Sequence, residues 1–507
     1  MTKRTWAVLA ASALVLVVYV LRLDLIVGIM GDDAWYALLG RTLARGGGFL
    51  QPNTPTPGQL PYLPPGFPLL LAPLWYVAPV FPANVLVLKA LSVAAMFATA
   101  GLTYVYSRAH TEWPRELSLI VAVAVALVPS LVFLSTSTLM SDCVFLAVQL
   151  ATLVALERWP TRTGTVVAGV GAAVGMLMRA VGVTVPAGAV VYLCLTRQWR
   201  RAALLAAVVV VALTPWQIYA SRHAATDAQM GNGETLLSYR RVFWQQWAGD
   251  SKAGTATLRD LPLRIGQNTV DVVTRDAVAL VAPSLLRGAH QSGLEVIGVG
   301  SYGMRGPMGN DAGTMIVSAA LFLLMAFGWA LAVKRRLSIA EFVVPLSLAL
   351  IDAWPFWTFR FVLPLAPFLL VYLVDGLRAL TPAASRVPAI VMLGVAGLSL
   401  FDHGEYVARA RVRQPDWSVY AEDTNAVLAW LQQHPADGII ATSNPALVYL
   451  RTDTPTIQLE GLVDRAALKA RGVRYVVWVH LAAMRVPADQ GAVRYVSPRA
   501  GFWVLEL

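Results

Sequence analysis

A series of long apolar segments, separated by short polar connections, constrains this chain more than any other feature. Of its 507 residues, 57% are hydrophobic and 14% are charged, whereas a soluble domain is about a quarter charged. A helix needs about 17 to 25 apolar residues to cross a bilayer, and we count about eleven candidate spans. They lie near 6–29, 85–107, 117–136, 141–158, 164–178, 181–196, 201–220, 313–333, 339–354, 360–378 and 386–402. The sequence therefore predicts a polytopic α-helical membrane protein.

The basic residues follow the connections between these spans. If the amino terminus is cytoplasmic, every inside connection carries at least two Lys or Arg residues, while the opposite turn 135–142 carries none. This pattern accounts for the net charge of +11 without a nucleic-acid partner. It predicts a multi-pass protein of the cytoplasmic (inner) membrane, with 30–84, 221–312 and 403–507 on the outer, periplasmic face.

The last hundred residues have a different character. The stretch EDTNAVLAWLQQHPADG has helical spacing with Asp423 or Thr424 as a candidate N-cap, and GIIATS, TIQLE, VRYVVWVH and GFWVLEL have the composition of strands. We expect a transmembrane module at 1–402 and a small extracytoplasmic α/β domain at 403–507.

Two adjacent carboxylates, Asp32 and Asp33, stand at the outer end of the first span. The residues after them have amphipathic helical spacing up to the glycines at 46–48. One carboxylate can cap this helix. The second has no such explanation, so a structural role and a functional role are both open for this pair.

Three more charges lie where the membrane pattern does not require them. Asp142, in STSTLMSDCVFL, is either a helix N-cap or a second acidic group at the depth of Asp32. Arg179 and Arg360 lie at the outer ends of spans, where they either extend to the headgroups or bind an anionic group. A guanidinium holds phosphate oxygens in a fork.

Carboxylates and arginines at one membrane face suit one chemistry well. An Asp takes the proton of an attacking hydroxyl, and arginines stabilise the charge on a departing lipid phosphate. Phosphate-binding loop, HExxH and GxSxG motifs do not occur in the sequence, which disfavours nucleotide-driven transport, zinc proteolysis and α/β-hydrolase chemistry.

Several motifs then match one family in order along almost the whole chain. They are DDAWYALLGRTLARGGG, YLPPGFPLLLAPLWY, TLMSDCVF, LMRAVGVTVPAG, LTPWQIYAS and FRFVLPLAPFLL. In these the chain resembles the GT-C fold membrane glycosyltransferases that use polyprenyl-phosphate sugars, in particular the aminoarabinose-transferase and protein mannosyltransferase-like group.

This resemblance implies an inverting transfer in which an acceptor hydroxyl displaces polyprenyl phosphate from the sugar. It implies Asp32 as the general base with Asp33 beside it, and Asp142 as a residue that positions the acceptor or a divalent ion. Arg179 and Arg360 would bind the lipid phosphate. A divalent cation is possible, and no other cofactor is implied.

One departure from the family and three rival functions remain. The aminoarabinose branch has a lysine before the Pro-Pro pair, where this chain has Leu63, so the sugar and the hydroxyl acceptor (lipid, glycan or protein) are open. The rivals are another lipid-linked oligosaccharide transferase or ligase, a transporter, and a non-catalytic membrane scaffold.

Overall fold

The computed structural model describes residues 3–56, 63–226, 239–247, 254–283, 312–382, 385–412, 416–459, 464–479, 491–499 and 501–507. Parts of the predicted outer loop 221–312 therefore lie outside the described residues. The helices are α1 (Lys3–Arg22), α2 (Asp32–Ala44), α3 (Gly66–Val77), α4 (Val85–His110), α5 (Arg115–Ala126), α6 (Pro129–Thr136), α7 (Asp142–Arg158), α8 (Arg162–Met178), α9 (Thr184–Leu195), α10 (Trp199–Arg222), α11 (Tyr239–Phe243), α12 (Leu261–Asp271), α13 (Ala277–Val281), α14 (Ala312–Arg335), α15 (Ala340–Ala353), α16 (Phe359–Val362), α17 (Ala366–Leu380), α18 (Val387–Val412), α19 (Asp416–Gln433), α20 (Pro445–Thr452) and α21 (Arg465–Ala470).

Each of the predicted spans coincides with one helix or with two consecutive helices. Among the described residues, five helical segments are long and apolar enough to cross a membrane, with α16 and α17 counted as one segment, and six if the bent pair α5–α6 is also one span. The helices at the other predicted spans are shorter, so the number of about eleven crossings stays a prediction. The fold class is confirmed: an α-helical membrane protein with a small C-terminal sheet.

Two of these spans differ from their predicted form. Helix α1 ends at Arg22 rather than near 29, because Asp24 accepts hydrogen bonds from the Ile26 N–H at 2.9 Å and from Lys89 Nζ at 2.7 Å. Helices α5 and α6 meet at an angle of 51°. Pro129 begins α6, and a proline disfavours helical geometry in the residue before it.

The C-terminal residues form a five-stranded sheet. Its strands are β1 (Ile439–Thr442), β2 (Thr456–Gln458), β3 (Val473–Trp478), β4 (Ala492–Val496) and β5 (Trp503–Glu506), in the order β2-β1-β3-β5-β4. The β1 strand is parallel to β2 and β3, whereas β5 is antiparallel to β3 and β4. Four strands were predicted and β4 was missed, because it is largely exposed and lacks a buried apolar face.

The predicted N-cap in this region is wrong. Helix α19 begins at Asp416, so Asp423 and Thr424 lie inside it. The Asp423 carboxylate instead accepts hydrogen bonds from the Ser497 hydroxyl at 2.6 Å and the Arg499 N–H at 3.0 Å, and it thereby ties α19 to the sheet. Helix α18 continues through residue 402, and the division into two domains there remains a prediction.

Candidate functional site

Three of the predicted site residues meet at one point in the fold. Asp142 begins α7, Arg179 follows the last residue of α8, and Arg360 lies in the short helix α16. One oxygen of Asp142, Oδ2, lies 2.6 Å from Arg179 Nη1 and 3.3 Å from Arg360 Nη2. The carboxylate is fully buried, and the two arginines are 7% and 8% exposed. Two cations therefore share one buried anion.

These contacts argue against the N-cap role for Asp142 and against a headgroup-facing position for the two arginines, while the functional roles stay predictions. The N-cap of α7 is Ser141, and Asp142 is the first residue of the helix itself. Neither arginine extends outward to a headgroup, because both guanidinium groups turn onto Asp142. Removing one partner of a buried ion pair costs about 3–5 kcal/mol, so the carboxylate and the arginines depend on one another in the folded state.

Two polar atoms of this cluster are left without a hydrogen bond in the described part of the chain. They are Asp142 Oδ1, an acceptor, and Arg360 Nε, a donor, and both are buried. An unsatisfied buried polar group costs about 1–3 kcal/mol. The cluster can therefore accept one hydroxyl on the carboxylate and offer one N–H to an anion.

The adjacent carboxylates of the first loop have different surroundings. Asp33 is fully buried and accepts three backbone N–H groups, from Gly28 at 2.8 Å, Met30 at 3.2 Å and Ala34 at 3.1 Å. Burial raises the pKa of Asp33 to about 6, and the Gly28 N–H opposes that rise. Asp32 is half-buried. Asp33 thus holds the loop that presents Asp32.

A tyrosine that the sequence did not single out connects this loop with the arginine cluster. Tyr36 lies within hydrogen-bond distance, 3.3 Å, of the Ser141 hydroxyl next to Asp142. Burial raises the pKa of Tyr36 to about 12, the charge of Asp32 adds to the rise, and Arg179 and Arg360 oppose it. Residues four apart share a helix face, so the spacing of Asp32 and Tyr36 was a usable signal.

Tyr239 belongs to the same electrostatic environment. Burial raises its pKa, nearby Tyr36 and Asp32 add to the rise, and the two arginines oppose it. The Asp32 charge also interacts with Arg360. The structure therefore brings all five predicted residues to one region of the fold. Within it, the Asp33 carboxylate accepts from three backbone N–H groups.

The chain before Arg360 is fixed by a second buried ion pair. Arg275 Nε donates to Asp276 Oδ1 at 2.8 Å, and Arg275 Nη2 donates to the Thr358 hydroxyl at 2.9 Å. The Thr358 hydroxyl in turn donates to Asp276 Oδ2 at 2.5 Å. Thr358 is also the N-cap residue of α16, so this network sets where the helix that carries Arg360 begins.

A glycine sets the position of the chain before Arg179. A Cβ on Gly66 would lie 2.7 Å from the Leu177 carbonyl oxygen and 2.8 Å from its carbon. Real Cβ atoms do not approach backbone so closely, so only glycine lets α3 pack here. The Pro-Pro segment therefore contacts the end of α8, directly before Arg179.

Aromatic residues from two segments border the cluster. The segment YRRVFWQQW, Tyr239 to Trp247, contributes Trp247, whose ring stacks on Phe356 with centroids 6.0 Å apart. Phe361 lies beside both site arginines, with its centroid 5.5 Å from Arg179 Cζ and 5.9 Å from Arg360 Cζ. The stretch around Trp247 thus packs against the segment that carries Arg360.

Metal-ligating side chains are not grouped in the parts of the chain that the structure describes. Within those ranges, no set of three or more His, Cys, Asp or Glu residues is placed to hold a metal ion. The carboxylate of Asp142 lies beside arginines instead.

Comparisons with known proteins agree with the fold described above. The profile of Glycosyltransferase family 87 matches residues 62–249, which include Asp142 and Arg179, and no curated protein sequence matches the chain. The crystal structure of ArnT from Cupriavidus metallidurans in the apo state is similar with a TM-score of 0.59 at 14% identity, over 99% of this chain and 98% of ArnT.

Two ligand-bound structures are also similar. ArnT from Cupriavidus metallidurans bound to undecaprenyl phosphate gives a TM-score of 0.51 at 15% identity, over 99% of this chain and 98% of that one. The archaeal oligosaccharyltransferase AglB from Archaeoglobus fulgidus, in complex with an inhibitory peptide and a dolichol-phosphate, gives 0.53 at 14% identity, over 94% of this chain and 69% of AglB.

The fold and the family match are consistent with each other. The chain is a multi-pass membrane protein with the fold of the ArnT and AglB structures, and its residues 62–249 match Glycosyltransferase family 87. The resemblance predicted from the ordered motifs is thereby confirmed.

Proposed function

We propose that this protein transfers a sugar from a polyprenyl-phosphate donor to a hydroxyl acceptor, with inversion at the anomeric carbon. The reaction would take place at the outer, periplasmic face of the cytoplasmic (inner) membrane. The observation that carries the proposal is the pair of buried arginines on Asp142, next to the loop that presents Asp32. The lipid phosphates bound by the similar ArnT and AglB structures support the donor class.

The proposed donor site is the pair Arg179 and Arg360. Two guanidinium groups on one carboxylate leave one positive charge in excess, and Arg360 Nε has no hydrogen-bond partner among the described residues. A phosphate supplies both the negative charge and the hydrogen-bond acceptor that this pair of arginines lacks. Phosphate binding here requires little rearrangement, because the arginines are already held in place by Asp142.

The proposed transfer is a single displacement. The acceptor oxygen bonds to the anomeric carbon while the bond from that carbon to the phosphate oxygen breaks. Asp32 accepts the hydroxyl proton, and the electron pair of the broken bond leaves with the polyprenyl phosphate, which Arg179 and Arg360 stabilise. One displacement inverts the configuration at that carbon.

The other two carboxylates have supporting roles in this proposal. Asp142 holds the arginines through Oδ2, and its free Oδ1 accepts a hydrogen bond from the acceptor. Asp33 shapes the loop, since its oxygens bind three backbone N–H groups. Asp32 is the base because it is half-buried and its charge interacts with that of Arg360.

The direct test is sugar transfer by purified wild type and Asp32→Asn protein, from a panel of undecaprenyl-phosphate monosaccharides. We expect release of undecaprenyl phosphate by wild type and a loss of about 100-fold or more in Asp32→Asn, as for removal of a general base. Asp437→Asn is the matched control, because Asp437 is 89% exposed in the C-terminal part of the chain. Full activity of Asp32→Asn would remove Asp32 as the base.

A second candidate function is transfer of a lipid-linked oligosaccharide. It is favoured by the similarity to AglB, whose TM-score of 0.53 falls between those of the two ArnT structures. The same panel separates the two functions when it includes undecaprenyl-linked oligosaccharides. Turnover of oligosaccharides alone would favour this second function.

A further inference from the structure

In the described part of the chain, hydrogen bonds connect the C-terminal sheet region with residues 28–53 at three places. Helix α20 lies along α2, and Arg41 of α2 donates to the Leu450 carbonyl at 3.3 Å and to Asp453 at 2.9 Å. The N–H of Thr456 in β2 donates to the Asn53 carbonyl at 2.6 Å. The third contact is made by Asn444 at the other end of α20, and it reaches the residues directly before Asp32.

The Asn444 side chain makes two hydrogen bonds, one as an acceptor and one as a donor. Its Oδ1 accepts from the Leu447 N–H at 3.4 Å and caps α20, while its Nδ2 donates to the Gly28 carbonyl at 3.0 Å. Gly28 then donates its own N–H to Asp33 Oδ2 at 2.8 Å. A continuous hydrogen-bond chain thus runs from the C-terminal region to the residue next to Asp32.

The packing at Gly28 leaves little freedom in this chain. Gly28 has a φ of +101°, and a Cβ there would lie 2.6 Å from Leu447 Cδ2 and 3.1 Å from Asn444 Nδ2. Only glycine tolerates both this backbone conformation and this approach. The backbone at Gly28 is therefore held by the Asp33 carboxylate on one side and by α20 on the other.

We infer that Asn444 is a positioning residue for the transfer reaction: through Gly28 and Asp33 it holds the loop in the form that presents Asp32. The inference rests on the proposed role of Asp32. It gives the C-terminal sheet region a part in the chemistry, because a base misplaced by about 1 Å can lower a rate by about 100-fold. Asn444 itself touches no reacting atom.

The test uses three variants of the full-length protein, two at the contact and one control. Asn444→Asp keeps the N-cap, since Asp caps helices as well as Asn, but it cannot donate to the Gly28 carbonyl. Asp464→Ala is the matched control: it removes the cap of α21, where Asp464 accepts from Ala466 and Ala467. Gly28→Ala perturbs the same contact from the loop side.

Three quantities are measured for each protein. They are amide hydrogen exchange at 28–34, binding of undecaprenyl phosphate, and kcat for its release from the active donor of the panel. For Asn444→Asp and Gly28→Ala we expect faster exchange at 28–34, unchanged lipid binding, and a fall in kcat of about 10- to 100-fold. Asp464→Ala should match wild type in all three.

The outcomes separate this inference from the proposed function. Unchanged exchange at 28–34 in Asn444→Asp, or faster exchange with unchanged kcat, would overturn the positioning role. If wild type neither binds undecaprenyl phosphate nor releases it from any donor, the proposed function fails. The positioning role for transfer then fails with it. The exchange data would still report whether Asn444 holds the loop.

Discussion

The Asp142 carboxylate and the Arg179 guanidinium lie 2.6 Å apart, although one residue begins α7 and the other follows the end of α8. The two helices form an antiparallel pair, so the ion pair closes one end of it. Arg360, which lies 218 positions after Asp142 in the chain, contacts the same carboxylate oxygen. This junction is the centre of the proposed site, and the following predictions test it.

The first prediction concerns stability. Asp142→Asn leaves two buried arginines without their counter-charge, so we expect the free energy of unfolding to fall by about 3–5 kcal/mol. Thermal unfolding in detergent measures the effect, with the exposed Asp437→Asn as control. Equal Tm values for the two variants would show that Asp142 does not balance the arginines.

The second prediction concerns pH. The Asp33 pKa rises from its ordinary value of 3.8 to about 6 in the folded protein, so the folded state binds this proton more tightly than the unfolded state. The stabilising contribution of Asp33 is therefore full below about pH 4 and is lost as the pH rises through about 6.

The rate of sugar transfer should show the opposite dependence on pH. Protonation weakens the acceptor that holds the Gly28 N–H, so the rate should fall as the pH drops below about 6. Asp33→Asn should be slow throughout and should lose this part of the pH–rate profile, which kcat measured from pH 5 to 8 would reveal. A wild-type profile retained in Asp33→Asn would assign the pH dependence to another group.

The third prediction concerns the network before α16. Thr358→Val removes the hydroxyl that joins the chain before Arg360 to the Arg275–Asp276 ion pair. We expect weaker binding of undecaprenyl phosphate because Arg360 shifts. Thr358→Ser keeps the hydroxyl and should restore the affinity. Equal affinities for Val and Ser variants would show that the network does not position Arg360.

The fourth prediction concerns Gly66. Gly66→Ala places a methyl against the Leu177 backbone and should displace Arg179, which weakens lipid binding. Gly101→Ala is the control, since a Cβ there meets nothing within 4 Å. Isothermal or fluorescence titration with undecaprenyl phosphate measures both. The prediction fails if the two alanine variants bind equally well.

Much of the fold could be predicted because it depends on local pattern. The apolar segments coincide with helices, and four strands were found from β-branched and aromatic runs. The exposed strand β4 was missed because its sequence carries no buried face. The prediction of Asp423 as a cap is wrong because it rests on side-chain type alone, whereas the hydrogen-bond partner of Asp423, Ser497, is distant in the chain.

The candidate site was predictable only as a set of unexplained charges. Asp142, Arg179 and Arg360 each conflict with the membrane pattern, but their shared contact depends on packing between remote segments. The same holds for Asn444 and Thr358, since an Asn or Thr before a helix is ordinary in any sequence. Tyr36 alone had a local signal, its spacing from Asp32.

The most direct test of the central claim is native mass spectrometry of wild type, Arg179→Ala and Arg360→Ala in mild detergent with added undecaprenyl phosphate. Arg222→Ala serves as the matched control, because Arg222 is an exposed arginine at the end of α10. We predict a bound lipid phosphate in wild type and the control, and weaker binding in each site variant. Absence of binding to wild type even at excess lipid, or equal binding to all four proteins, would contradict the proposed phosphate site.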